Sequence, residues 1–248
     1  MLNLGGVFLS DAKQRYNPRS SWLRRRNDGL TRGENGNDRG TVMLKIWGRR
    51  NSINVQKVMW TVAELGLEAE RIDAGMAFGV VNEPWYADLN PNRRVPTIDD
   101  DGVVLWESNV IVRYLASEHA SGTLMPAEPA RRAKAEIWMD WQQSSVMYGL
   151  TPVFLGLIRT PADQRDMAAI RAGEDEVKAA FALLDRQLAG KSYLLGDQLT
   201  VADIPLGCAA YRWYALPIER PDLPNLRAWY ERLTERPAFV ENVMVPLT

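Results

Sequence analysis

From residue 43 onward, short apolar runs alternate with longer segments of helical spacing. Leu44–Trp47 reads as a short strand. A polar turn, Asn51–Asn54, follows. Val55, Val58, Met59, Val62 and Leu65 then recur three or four residues apart, which predicts an amphipathic helix, and Gly66 stands where a C-cap glycine belongs. Glu68–Asp73 fits a second strand. Residues 74–83 read as a loop, and Pro84–Leu89 as a short helix that opens on proline. Thr97–Asp99 and Val103–Leu105 flank Asp101-Gly102, a strong turn dipeptide, and so predict a hairpin. Ser108 is then placed to cap a helix with Val110, Ile111, Tyr114 and Leu115 on its apolar face. The predicted order is strand–helix–strand, loop, strand–strand–helix.

The pattern changes after Ala120–Pro129, a stretch of small residues, Ser, Gly and Pro that suits a linker. Everything beyond it reads helical. Ala130–Tyr148 is long and carries Trp138, Trp141 and Tyr148, and Gln164–Leu188 is a second long amphipathic segment. Leu199–Asp203 contains Thr200-x-x-Asp203, a capping box that opens a buried helix, and Pro224–Thr234 is a further helix. The expected fold class is α/β plus all-α: a domain over residues 43–122, then a helical domain over 127–248.

Residues 1–42 differ in kind. Lys13 and seven arginines face Asp11, Asp28, Glu34 and Asp38, a net of +4, whereas the chain as a whole carries −1. Asn27–Gly40 is nearly all Asn, Gly, Asp, Arg and Glu, with little to bury, so the segment is expected to be disordered or dispensable for folding. Its charges alternate in sign, unlike a basic nucleic-acid arm. The 248 residues are 46% hydrophobic and 25% charged, the proportions of a globular protein. Near-zero net charge argues for neither a nucleic-acid nor a membrane partner. The single Cys208 allows no internal disulfide and favours a reducing compartment, and the single His119 removes most zinc sites.

Three places can carry chemistry. Val95-Pro96 lies just before a predicted strand, where proline marks an edge or an irregular bond; a cis peptide there turns the Val95 N–H and C=O outward, able to pair with an extended peptide. A turn proline is the plainer alternative. Glu107-Ser108 stands at a helix mouth, where unpaired N–H groups attract a carboxylate, Ser108 adds a hydroxyl and Glu107 can hold an ammonium group. A ligand with an α-amino and an α-carboxyl group matches both; an ordinary N-cap explains the serine equally well. Ser52 and Asn54 lie at the start of the first helix. A thiolate there is favoured by a hydroxyl, an amide and the helix dipole, all of which lower a thiol pKa. Capping again is the alternative reading. With no Cys-x-x-Cys, a protein dithiol mechanism is excluded.

Together and in this order, Ser52, Asn90-Pro91, Val95-Pro96, Glu107-Ser108, Ile111, Arg113-Tyr114-Leu115 and Thr200-x-x-Asp203 resemble the glutathione S-transferases, across roughly residues 43–236. The resemblance implies an N-terminal thioredoxin-like domain followed by a C-terminal helical bundle, and a serine-type bacterial enzyme of theta-, beta- or nu-like class. It implies that Val95, before a cis-Pro96, pairs with the cysteinyl part of glutathione, that Glu107 and Ser108 bind the γ-glutamyl group, and that Arg94 lies near the glycyl carboxylate. Ser52 is the implied activator of the sulfur, with Asn54 a competing or cooperating candidate. Arg93 falls where glycine is common in the motif, which puts the local loop shape in question. The implied activity is transfer of the glutathione thiolate to a hydrophobic electrophile, with glutathione as co-substrate, no metal and a cytoplasmic homodimer. Trp138, Trp141 and Tyr148, with Phe154, are candidates for the second-substrate wall, against the plainer reading as core. Other glutathione chemistry (isomerase, dehalogenase, ether lyase, disulfide reductase or peroxidase) and a non-catalytic module of the same fold are the alternatives.

Overall fold

The computed structural model describes residues 43–248, so the expectation for residues 1–42 lies outside it. Four strands, β1 (Leu44–Trp47), β2 (Ala69–Ile72), β3 (Thr97–Asp100) and β4 (Val103–Trp106), form one sheet in the order β2-β1-β3-β4. β1 pairs with β2 in parallel and with β3 antiparallel, in the register Ile46 to Ile98, and β3–β4 is the expected hairpin. Asp101 and Gly102 take φ values of +47° and +87°, the pair of left-handed residues that a tight hairpin turn demands.

Helices α1 (Ile53–Glu64) and α3 (Ser108–His119) cover one face of the sheet. Their apolar stripes, Val58 and Val62 on α1 and Ile111 and Leu115 on α3, close over Leu44, Ile46 and Ile98. Helix α2 (Pro84–Leu89) forms a smaller cluster in which Tyr86 and Leu89 pack with Trp47 and Ala74. The two faces follow from strand alternation: Ile46 points one way and Trp47 the other. Gly66 ends α1 at φ +63°, as a C-cap glycine should.

The second half is helical. α4 (Pro129–Trp141) runs through a π-helical turn, Gln142–Val146, into α5 (Met147–Phe154) and a second π turn, Leu155–Arg159. The expected helix over Ala130–Tyr148 is therefore longer and interrupted by two π turns. Pro152 lies inside it without ending it; π turns are the usual means by which a helix absorbs such an irregularity. α6 (Met167–Leu188), α7 (Asp203–Ala215) and α8 (Pro224–Thr234) match the segments read from the sequence, and α9 (Pro237–Val243) is an addition.

One core spans both halves. Ile53, Trp60, Val112 and Ala116 of the sheet-bearing half join the same cluster as Val153, Phe181, Trp213 and Phe239. Trp60 meets Phe239 edge to face at 4.8 Å. Glu64 accepts from the Trp60 indole at 2.8 Å and from Arg236 Nε at 2.7 Å, which ties α1 to the start of α9. Among the described residues no helix is long and apolar enough to cross a membrane.

Two local expectations are refined. Ser108 is the first residue of α3 and not its cap; the cap is Glu107, at φ +71°. The late capping box is built chiefly by its carboxylate. Buried Asp203 accepts from the N–H groups of Leu194 and Thr200, the Thr200 hydroxyl and the Trp229 indole, at 3.0 to 3.2 Å. Burial pushes the Asp203 carboxyl up, and these four donors oppose that shift. Asp203→Ala strands several buried donors at once and is expected to cost about 3–5 kcal/mol; urea unfolding checks this, with a lowered midpoint at unchanged slope.

Candidate active site

The site forms where the N-termini of α1 and α3 and the loop before β3 converge. That loop is fixed from behind. The Tyr86 hydroxyl donates to the Arg94 carbonyl at 2.7 Å and shares a 2.7 Å bond with the Thr97 hydroxyl. The Asn90 amide donates to the same Arg94 carbonyl at 2.9 Å and to Thr97 Oγ1 at 3.0 Å, while its oxygen accepts from the Asn92 N–H. The Val95–Pro96 bond is cis, as the sequence led one to expect. Val95 precedes the β1–β3 ladder, which begins at Thr97. Arg93 keeps the loop by taking φ +51°, the left-handed geometry that glycine supplies at no steric cost, and its guanidinium donates to the Asn82 carbonyl at 3.2 Å. The Arg94 side chain is exposed.

Ser52 caps α1 in extended geometry, but its side chain makes no capping bond. Its hydroxyl has no hydrogen-bond partner among the described residues, so it is a free donor at this helix mouth. Asn54 Oδ1 accepts from the Ser108 hydroxyl at 3.3 Å, linking the two helix starts, and its Nδ2, which has no partner among the described residues, is a second donor there. Glu107 and Ser108 open a pocket of about 300 Å³ that also involves Val110, Arg113, Gln143 and Ser144. The strained φ at Glu107 is the kind of backbone outlier that concentrates at ligand sites.

Beneath these residues lies Lys57, fully buried and not singled out by the sequence. Its ammonium donates to Gln142 Oε1 at 3.0 Å, Asn109 Oδ1 at 3.2 Å and Ser108 Oγ at 3.5 Å. Burial lowers it from 10.5 to about 8, with buried Cys208 and exposed Glu107 pulling the other way and Arg212 adding to the fall. The Cys208 thiol is pushed up to about 12 by its own burial, so it is the inert thiol expected from its apolar helix. The aromatic candidates separate. Trp138 and Trp141 stack edge to face at 5.4 Å, and Trp138 lines a groove with Glu128, Arg131 and Leu194, apart from Ser52 and Ser108. Tyr148 is 72% exposed and Phe154 only 2%. Among the described residues no group of His, Cys, Asp or Glu could hold a metal.

A thioredoxin-like sheet with a cis-proline loop, joined to a helical domain, defines a class of glutathione-dependent proteins. Residues 42–117 match the model of the glutathione S-transferase N-terminal domain, and residues 167–232 that of the C-terminal domain. The chain is 43% identical over 208 residues to glutathione S-transferase GstB of Escherichia coli strain K12, covering 83% of this chain and all of that protein. It is 32% identical to glutathione S-transferase 3 of Zea mays, over 82% of this chain and 95% of the maize protein. The structure of the theta class enzyme from Xanthomonas axonopodis pv. citri, with glutathione bound, superposes with a TM-score of 0.80 at 47% identity, over 83% of this chain and 99% of that one. The chain belongs to the glutathione S-transferase family.

The buried ammonium gives a pH test. Between about pH 8 and 10.5 the unfolded chain holds the Lys57 proton and the folded chain does not, so stability rises with pH across that window. Relative to Lys57→Met, the wild-type protein should gain on the order of 3 kcal/mol between pH 7 and 10.5; paired urea titrations at several pH values measure the difference.

Proposed function

We propose that this glutathione transferase seats the tripeptide along Val95, with its γ-glutamyl end at Glu107 and Ser108 and its sulfur at the start of α1, where the Ser52 hydroxyl donates to the thiolate. The uncommitted Ser52 hydroxyl carries this reading. The Asn54 oxygen accepts from Ser108, which ties that side chain to the frame of the site and leaves its amide N–H groups as a second donor beside Ser52. The helix dipole and the hydroxyl both favour the ionised thiol, so no strong base is required. The thiolate then attacks an electrophilic carbon held against the helical domain, and the proximity of two bound reactants supplies further rate.

Met76 and Phe78, in the loop after β2, are 60% and 53% exposed. Such a protruding apolar pair suits contact with a second copy of the chain, which supports a homodimer. Phe78→Ser is expected to shift the protein toward monomer, read by sedimentation velocity.

Ser52→Ala tests the assignment of the sulfur site. Calorimetric uptake of glutathione should persist, while the pKa of the bound thiol, followed by thiolate absorbance, rises by about one to two units, each worth about 1.4 kcal/mol. An unchanged titration would transfer the role to Asn54, and no uptake by the wild-type protein would remove the enzymatic reading altogether.

A further inference from the structure

A whole positive charge lies behind the helix start that the proposed function assigns to the γ-glutamyl group. Lys57 is fully buried. Its Nζ donates to Ser108 Oγ at 3.5 Å and Asn109 Oδ1 at 3.2 Å, on the first two residues of α3, and to Gln142 Oε1 at 3.0 Å. All three acceptors are neutral. Among the described residues Lys57 makes no ion pair with a carboxylate. From outside this shell, the exposed carboxylate of Glu107 and the guanidinium of Arg212 act on it in opposite senses, while the Cys208 thiol is held neutral by its own burial.

A buried ammonium among neutral oxygens costs more than an apolar side chain of the same volume, which would join α1 to its neighbours as well. Cohesion alone therefore does not account for the charge. What the charge adds is a field at the mouth of α3. The first ladder bond there runs from the Ile111 N–H to the Glu107 carbonyl at 3.0 Å. The N–H groups ahead of it have no partner within the helix and share the positive end of its dipole. The Ser108 hydroxyl accepts from Lys57 and donates to Asn54 Oδ1 at 3.3 Å; a hydroxyl that accepts from a cation is polarised into a stronger donor. Lys57 thus places a full charge, in a low-dielectric setting, behind a helix end already disposed to bind an anion.

We infer that Lys57 is a positioning residue for glutathione: its buried charge, acting through Ser108 and the start of α3, holds the α-carboxylate of the γ-glutamyl group and selects tripeptides that carry it. The inference rests on the glutathione-transferase reading above and adds to that site the side chain behind its anion contact. Gln142 has a part in it. From the helical domain its amide oxygen aims the ammonium, and because that oxygen is neutral it leaves the charge uncancelled. A carboxylate at position 142 would make the same hydrogen bond and extinguish the field.

Two variants and two tripeptides test this by calorimetry: glutathione, and γ-aminobutyryl-cysteinyl-glycine, which lacks only the α-carboxylate. Lys57→Met removes the charge. Gln142→Glu keeps the volume and the hydrogen bond and neutralises the charge by an internal ion pair. Each variant should weaken glutathione binding by roughly tenfold or more, the scale of one charge-assisted hydrogen bond, and weaken the analogue by less than about twofold. A role confined to joining the domains predicts otherwise, since Gln142→Glu leaves that join intact. Unchanged glutathione affinity in Gln142→Glu, or equal losses for the two tripeptides, overturns the proposal. Should Lys57→Met fail to fold, Gln142→Glu decides alone. Wild-type uptake of glutathione that Gln142→Glu leaves unaltered sinks this inference only, whereas absence of uptake by the wild-type protein sinks the reading beneath it.

Discussion

The buried ammonium of Lys57 is the join on which the geometry of the site depends. Two elements supply its acceptors: Ser108 and Asn109 open α3, and Gln142 belongs to the π turn of the helical domain. A charge taken so far from water is tolerated only with its donors matched. Those matches hold α1, α3 and the second domain in one arrangement. Ser108, fixed from below by Lys57, in turn reaches Asn54, so the mouths of two helices are set relative to each other by one side chain. The Gln142 Nε2 has no partner, the remaining cost of aiming the amide oxygen at lysine. The Ser52 hydroxyl at the mouth of α1 is thus uncommitted while Lys57 and Ser108 behind it are hydrogen-bonded, the arrangement expected of a preorganised site.

Much of this was legible in the sequence, for identifiable reasons. Strand alternation, the Asp-Gly turn and the helical spacing of Val55 to Leu65 are local signals, and the elements they predict are present. The cis-proline loop and the Glu107-Ser108 pair are short motifs with a stated mechanism. What was not legible depends on distant contacts. α9 is only seven residues long, too short for periodicity to register, and it owes its place to the Trp60–Phe239 contact. The Glu107 cap is set by a positive φ that no propensity for glutamate predicts. Lys57 sits in the helical pattern where a solvated face is the ordinary expectation, and only the approach of Gln142 from 85 residues away turns it inward. Arg159 and Arg212 carry no common motif, because they meet over Phe154 only once the helices have packed.

Packing within the helical domain is governed by two close approaches. A Cβ at Gly149 on α5 would lie 2.6 Å from the Val177 nitrogen, and one at Gly173 on α6 would lie 2.7 Å from the Gly149 carbonyl oxygen. Backbone meets backbone there, which only residues without a side chain permit. The pair fixes the depth at which α5 lies against α6, and the chain beyond α5 inherits that position. Phe154 ends α5, and the π turn that follows delivers Arg159 to the same ring that Arg212 covers from α7. The irregular turn at Gln142 touches the sheet-bearing half through Lys57, and the turn at Leu155–Arg159 carries Arg159 onto Thr248. In a fold whose N-terminal half is set by local motifs, these two departures from α-helical winding set where Gln142 and Arg159 are delivered.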